Sequence, residues 1–193
     1  MMAPNKEEAE LFTKYKELIV SWNRTHNLMS KSGIKEIDLH IQDSLSVQDK
    51  LTQNTLLDVG SGAGFPGIPL AIKKPETKVY LVESNKKKAA FLLHCTLNLG
   101  LKNVTVYNGR VEDLKIEKAQ RVEMIGRAFG TLENSLKCAS GLLDDGAVLF
   151  LMRTKEEPIG KKYSKKYKII STENIYSELR SQKGLLIKIG LVQ

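Results

Sequence analysis

The stretch Leu56-Leu57-Asp58-Val59-Gly60-Ser61-Gly62-Ala63-Gly64-Phe65-Pro66-Gly67 narrows the possible folds more than any other part of the chain. An apolar, strand-like run ends in an acidic residue and passes into a glycine-rich turn. Pro66 then opens a run, Ile68 to Ile72, that reads as a helix. Glycines at alternate positions strip side chains from a strand-to-helix turn. A small molecule can then lie against backbone N–H groups at a helix amino terminus, where the dipole favours negative charge. Pro66 suits the first helical turn, where a missing N–H costs nothing and φ is preset. The turn predicts a nucleotide or nucleoside cofactor loop and leaves the cofactor open.

The rest of the chain supplies the frame for such a turn. Leu11, Tyr15, Leu18, Ile19 and Trp22 fall on one helical face, and a second helix is predicted from Ile34 to Leu51, with Ile37, Ile41 and Leu45 on one side. These helices precede the first strand, so residues 1–53 read as a helical extension packed on a core of residues 54–193. From Thr55–Val59 onward, strands alternate with helices. Strands are predicted at Lys78–Val82, Asn103–Tyr107, Glu123–Arg127 and Ala147–Met152, with two further strand-like runs at Tyr167–Ile170 and Leu185–Ile189. Ser84 or Asn85 is a good N-cap for a helix that Gly100 stops, and Leu132–Leu143 reads as another helix. This pattern predicts an α/β fold with a mostly parallel sheet and helices on both faces. Such sheets bind ligands beyond the carboxyl ends of their strands.

Two cysteines, Cys95 and Cys138, stand far apart without a CxxC, which points to buried thiols and a reducing, cytoplasmic setting. The polar start, Met1 to Glu10, is unlike a signal peptide, and no apolar run nears the ~20 residues a membrane span needs, so no membrane partner is expected. His26, His40 and His94 show no metal-ligand spacing, and no metal is expected. The net charge is +8 over 193 residues, and it is uneven: from Leu151 onward ten basic residues face four acidic ones. A concentrated basic stretch suggests a polyanionic partner such as nucleic acid; the bland alternative is a solvated loop.

Gly62, Gly64 and Gly67 can be placed on the dinucleotide pattern GxGxxG, with Glu83 ending the next strand. A carboxylate there can accept hydrogen bonds from both hydroxyls of a ribose, or can simply sit at the surface or cap a helix. A longer match is more specific. Asp58-Val59-Gly60-Ser61-Gly62-Ala63-Gly64 resembles the first motif of class I S-adenosylmethionine-dependent methyltransferases. The continuation through Phe65-Pro66-Gly67-Ile68-Pro69-Leu70-Ala71 resembles the small-subunit ribosomal RNA guanine-N7 methyltransferases, the glucose-inhibited division protein B family. Trp22-Asn23, Asn27-Leu28, His40 with Asp43-Ser44-Leu45, Arg110-Val111-Glu112-Asp113 and Arg127-Ala128-Phe129 match that family in order, so the resemblance runs from about Tyr15 to Met152.

The resemblance implies a Rossmann-like class I methyltransferase fold with a seven-stranded sheet, S-adenosyl-L-methionine as cofactor, and methyl transfer to N7 of a guanine in small-subunit (16S) ribosomal RNA, free or in a ribosomal particle. It implies that Gly60 and Phe65 contact the cofactor, that Glu83, Ser84 and Asn85 hold the ribose and line the adenine, that Val111 and Glu112 flank the adenine, and that Arg127 sits close to the cofactor. Bland readings stand beside these: Val111 as core, Arg110 and Arg127 paired with Glu112 and Asp113, His40 and Asp43 as a helix-packing pair. The chain departs from the family's usual residues at Leu39, Gly126, Arg153-Thr154 and Glu83. Guanine N7 carries no proton, so no catalytic base is assigned. The Lys161–Lys168 stretch is expected to supply phosphate contacts, and the chain to act as a monomer. Two other readings are a catalytically inactive, methyltransferase-like RNA-binding factor and an NAD-dependent oxidoreductase.

Overall fold

Alternation of apolar side chains sets the two faces of the sheet. In the computed structural model, Leu56, Leu81, Ile125, Phe150 and Met152 point into one core, while their neighbours Leu57, Val82, Met124, Leu149 and Leu151 point into a second on the other face. Strands buried on both faces read as continuous apolar runs, as Thr55–Val59 does. The structure describes residues 4–116, 121–127, 130–176 and 184–192. Ala128 and Phe129 of the Arg127-Ala128-Phe129 motif, and Glu178, Arg180 and Lys183 of the basic stretch, lie outside them.

Three helices come first: α1 (Lys6–Asn23), α2 (Lys31–Lys35) and α3 (Ile37–Leu45). Then follow β1 (Thr55–Val59), α4 (Gly67–Lys73), β2 (Lys78–Glu83), α5 (Lys86–Leu99), β3 (Val104–Asn108), β4 (Glu123–Arg127), α6 (Leu132–Asp144), β5 (Val148–Arg153), β6 (Tyr167–Ile175) and β7 (Gly184–Leu191). The seven strands form one sheet in the order β3-β2-β1-β4-β5-β7-β6, parallel except for β7, which runs antiparallel between β5 and β6. Residues of α1, α3, α4 and α5 fill the first core, and Leu132, Leu136, Ala139 and Leu143 of α6 fill the second. The order reverses between β1 and β4, so a crevice opens beyond their carboxyl ends. Among the described residues, no helix is long and apolar enough to cross a membrane.

Two local expectations are corrected. The single helix expected over Ile34–Leu51 is broken: Glu36 leaves helical geometry at φ −107° and ψ 19°, and a short 3-10 turn at Gln48–Lys50 follows α3. The apolar period of Ile37, Ile41 and Leu45 belongs to α3 alone, whose nine residues fill little more than two turns. Pro66 stands one position before α4, as its N-cap, instead of inside the first turn. Other signals act as read. Asn85 accepts from the Lys87 and Lys88 amides at the start of α5, and Gly100 ends that helix at φ 66°.

The lysine-rich segment falls at an unexpected place. Arg153, at the carboxyl end of β5, pairs with Leu185 of β7, whereas Tyr167 pairs with Leu191 at that strand's other end. Residues Lys161 to Lys166 therefore lie at the edge of the sheet opposite the glycine turn, roughly 20 Å away along the strands. Lys166 is paired there with Asp144, whose carboxylate also accepts from the Tyr167 hydroxyl at 2.7 Å.

Candidate active site

The glycine turn leaves β1 at the sheet's reversal point. Its amides are largely committed inside the chain. Gly60 and Ser61 donate to the Val82 carbonyl at 2.9 and 3.2 Å, Gly64 and Phe65 to the Ser61 carbonyl at 2.7 and 3.2 Å, and Gly67 to Asp58 Oδ2 at 3.0 Å. Gly62 donates to Glu83 Oε2 at 2.9 Å. The turn is thus a folded, side-chain-poor wall, and most of its N–H groups do not face a ligand. The expectation of bare amides at a helix end is corrected accordingly. Gly62 has φ 59° and nothing near its would-be Cβ but the Gly60 carbonyl oxygen at 3.8 Å, so its outer side is open.

Glu83 ends β2 directly beside this wall and is 8% exposed. Its Oε1 accepts from the Asn85 amide at 2.8 Å. Each carboxylate oxygen therefore has one backbone donor and a lone pair left over, which suits a pair of vicinal hydroxyls. Ser84 and Asn85 are exposed at the same strand end. The Asn108 amide group and the Gly109 N–H hold the Glu83 carbonyl at 2.9 and 3.2 Å, tying the end of β3 to that of β2. Val111 is buried in a 3-10 turn after β3 and joins the core that contains Val82 and Leu136. Glu112 is exposed and lies against the Cys138 thiol of α6, which burial and this carboxylate push upward in pKa.

Phe65 and Arg127 meet in a cluster that no spacing in the sequence announces. The Arg127 guanidinium lies 5.0 Å over the Phe65 ring and donates to His40 Nδ1 at 3.1 Å. Arginine can only donate, so this His40 nitrogen accepts. His40 and Tyr15 flank Phe65, each with ring centroids 5.4 Å from it. One cluster therefore joins α1, α3, the glycine turn and the end of β4. Arg127 contacts His40 where pairing with Glu112 or Asp113 was the bland alternative. Arg110 makes no ion pair among the described residues.

Two functional side chains were missed. Tyr15 is fully buried, and its hydroxyl donates to the Ala63 carbonyl at 2.8 Å, pinning the middle of the turn to α1. Gly64, at φ 99°, is required beside it: a Cβ there would stand 2.9 Å from the Tyr15 hydroxyl and 2.5 Å from Ile68 Cδ1. A tyrosine on the buried face of an amphipathic helix needs an acceptor, and that was the available signal. Asp58 is wholly buried behind the turn, with Oδ1 lacking a hydrogen-bond partner among the described residues. Burial raises its pKa to about 7 against the partial relief of the Gly67 amide. Among the described residues no group of three His, Cys, Asp or Glu could hold a metal ion.

Comparison with known proteins points the same way. The family model for rRNA small subunit methyltransferase G matches residues 8–183. The chain is 47% identical over 133 residues to the ribosomal RNA small subunit methyltransferase G of Nitrosomonas europaea, covering 68% of this chain and 62% of that protein. It is 43% identical over 143 residues to the protein of that name from Chromobacterium violaceum, covering 72% and 68%. The match thus spans less than two thirds of the Nitrosomonas relative. Among solved structures, a SAM dependent methyltransferase from Aquifex aeolicus superposes with a TM-score of 0.59 at 19% identity, covering 85% of this chain and all of that one. M. jannaschii TYW2 in complex with AdoMet superposes with a TM-score of 0.51 at 19% identity, covering 85% and 78%. These likenesses establish the Rossmann-like methyltransferase fold. With the family model matching nearly the whole length, the chain belongs to the rRNA small subunit methyltransferase G family.

Proposed function

We propose that this protein transfers a methyl group from S-adenosyl-L-methionine to N7 of a guanine in small-subunit (16S) ribosomal RNA. The observation that carries the reading is Glu83: a buried carboxylate at the end of β2, hydrogen-bonded to the glycine turn, with acceptor capacity left for a ribose. The committed amides of Gly60, Ser61, Gly62, Gly64, Phe65 and Gly67 favour a nucleoside cofactor over NAD, because a pyrophosphate needs such N–H groups free. When bound, S-adenosylmethionine would supply an electrophilic methyl group on a sulfonium: the C–N7 bond would form in line as the C–S bond breaks, with S-adenosylhomocysteine leaving and the positive charge passing to the N7-methylguanine.

The chain's part is positioning. Glu83 accepts from the ribose hydroxyls, with Ser84 and Asn85 beside it, and Gly60, Gly62 and the backbone at Phe65 form the wall for the rest of the cofactor. Val111 and Glu112 bound the adenine side. Arg127, braced by Phe65 and His40, orients cofactor or substrate at the end of β4. N7 has no proton to lose, so no residue is assigned as a base. Orientation and exclusion of water can supply about 7–11 kcal/mol of barrier lowering. The substrate is ribosomal RNA, free or in a small-subunit particle, the acting species is a monomer in the cytoplasm, and residues 1–53 work as a helical extension of the core at 54–193.

Calorimetry with S-adenosylmethionine and with NAD tests the cofactor: wild type binds the first, and Glu83→Gln binds it at least tenfold more weakly. Mass mapping of N7-methylguanine in 16S RNA from cells with and without the gene tests the reaction. An unchanged map overturns it.

A further inference from the structure

A cavity of about 300 Å³ opens between the α1–α2 connection and the amino end of α5. Its walls include Trp22, His26, Asn27, Asn85, Lys87 and Lys88, and no acidic side chain lines it. We propose that this cavity holds one nucleotide of the RNA substrate next to the reacting guanine, its phosphate on Lys87 and Lys88 and its base against His26. The inference rests on the methyltransferase reading and adds where the RNA is held.

Three observations support it. First, the charge here is available. Lys16, Lys50, Lys73 and Lys166 are each paired with a carboxylate, whereas Lys87 and Lys88 make no ion pair among the described residues. Second, a ring platform is built and braced. His26 is exposed and stacks on Trp22 with centroids 5.0 Å apart and planes 28° apart, and Trp22 is held in turn by Phe91 at 5.6 Å and His94 at 5.3 Å. A base can stack on such a ring whatever its identity.

Third, the cavity shares a wall with the proposed cofactor site. Asn85 lines the cavity, and its own amide donates to Glu83 Oε1. The Asn85 side-chain oxygen is committed to the Lys87 and Lys88 amides, so its NH2 group is the end left for a ligand. A nucleotide held here flanks a base presented to the cofactor. The Lys161–Lys168 segment, expected from its charge to contact phosphate, lies at the opposite edge of the sheet.

The test compares wild type, Lys87→Ala/Lys88→Ala and His26→Ala by binding to 16S RNA and to small ribosomal subunits across a salt titration, with cofactor affinity measured alongside. The double variant is expected to bind RNA about tenfold more weakly, with the slope of log affinity against log salt reduced by roughly 1 to 2. His26→Ala is expected to weaken binding severalfold with the slope unchanged, and cofactor affinity stays at the wild-type value in both. Wild-type RNA affinity and slope in the double variant overturn the proposal, as does a loss of cofactor affinity equal to the loss of RNA affinity. A wild-type chain that methylates normally while the variants match it sinks the cavity alone; one that neither binds nor methylates the RNA sinks the methyltransferase reading too.

Discussion

Asp58 offers a measurement that isolates the electrostatics of the glycine turn. Its carboxylate is wholly buried, and burial is the largest influence on it; the Gly67 amide and the Arg127 charge offset part of that cost, and Glu83 adds to it. Its pKa is about 7 in the folded chain, against an ordinary 3.8. The sign follows from proton counting. Between these values the unfolded chain has released this proton and the folded chain keeps it, so stability falls as pH rises. The contribution is whole below 3.8 and is lost by the time pH passes about 7. At 1.36 kcal/mol for each pH unit, the loss is roughly 4 kcal/mol. Glu8 and Asp144 run the other way. Their partial burial is outweighed by hydrogen bonds to Lys73 and Lys166, which hold them below the usual range, so their contribution is lost as pH falls.

Asp58→Asn removes the titration while keeping an oxygen for the Gly67 amide. It leaves a buried NH2 at the Oδ1 position, so a pH-independent offset of about 1–3 kcal/mol is expected. The readout is the slope. Urea unfolding of both chains without cofactor, at intervals from pH 4.5 to 8, gives the difference in unfolding free energy at each pH. That difference should change by roughly 3–4 kcal/mol across the range, in favour of the variant as pH rises. Parallel profiles would show that Asp58 is ionised in the folded chain throughout, and the argument from burial would be wrong.

Tyr15→Phe leaves the Ala63 carbonyl without its donor and should cost about 1–3 kcal/mol of stability by thermal or urea unfolding, with weaker S-adenosylmethionine binding in calorimetry. Unchanged cofactor affinity would mean that the turn holds its shape without the Tyr15 hydroxyl. Gly64→Ala forces a side chain into φ 99° and toward Ile68 and Tyr15, so it should lose cofactor binding more severely than Tyr15→Phe. Replacing Lys161, Lys162 and Lys165 together by alanine should lower RNA affinity less than Lys87→Ala/Lys88→Ala does; the reverse order in filter binding would return the RNA anchor to the lysine-rich segment.

Much of the frame is written locally. The N-cap at Asn85 and the stop at Gly100 act through neighbours a few residues away, the continuous apolar run marks Thr55–Val59 as a strand buried on both faces, and each is where the pattern puts it. The break at Glu36 is not legible that way. The apolar spacing of Ile34 and Ile37 continues a helix across it, while α3 turns to pack on α4 through contacts distant in sequence. The lysine-rich segment failed for a related reason. Charge can be counted along a chain, but its position depends on where β6 begins: β6 runs parallel to β5, with β7 antiparallel between them, so the segment leading into β6 has crossed to the amino edge of the sheet.

The same distinction explains what sequence reading saw of the site. Glu83 is legible because a strand and its carboxyl end can be read locally, and the turn that faces it is adjacent in the fold by the βαβ connection. The cluster of Tyr15, His40, Phe65 and Arg127 draws on four separate elements, so no spacing announces it. Its arrangement ties α1 and α3 directly to the glycine turn and the end of β4. Tyr15 fixes the turn's backbone, and His40 fixes the guanidinium at the end of β4. Asn85, which lines the cavity beside Trp22 and donates its amide to Glu83, brings the α1–α2 connection next to that carboxylate. α1 and α3 therefore set the backbone of the turn and the guanidinium at the end of β4 through contacts distant in sequence.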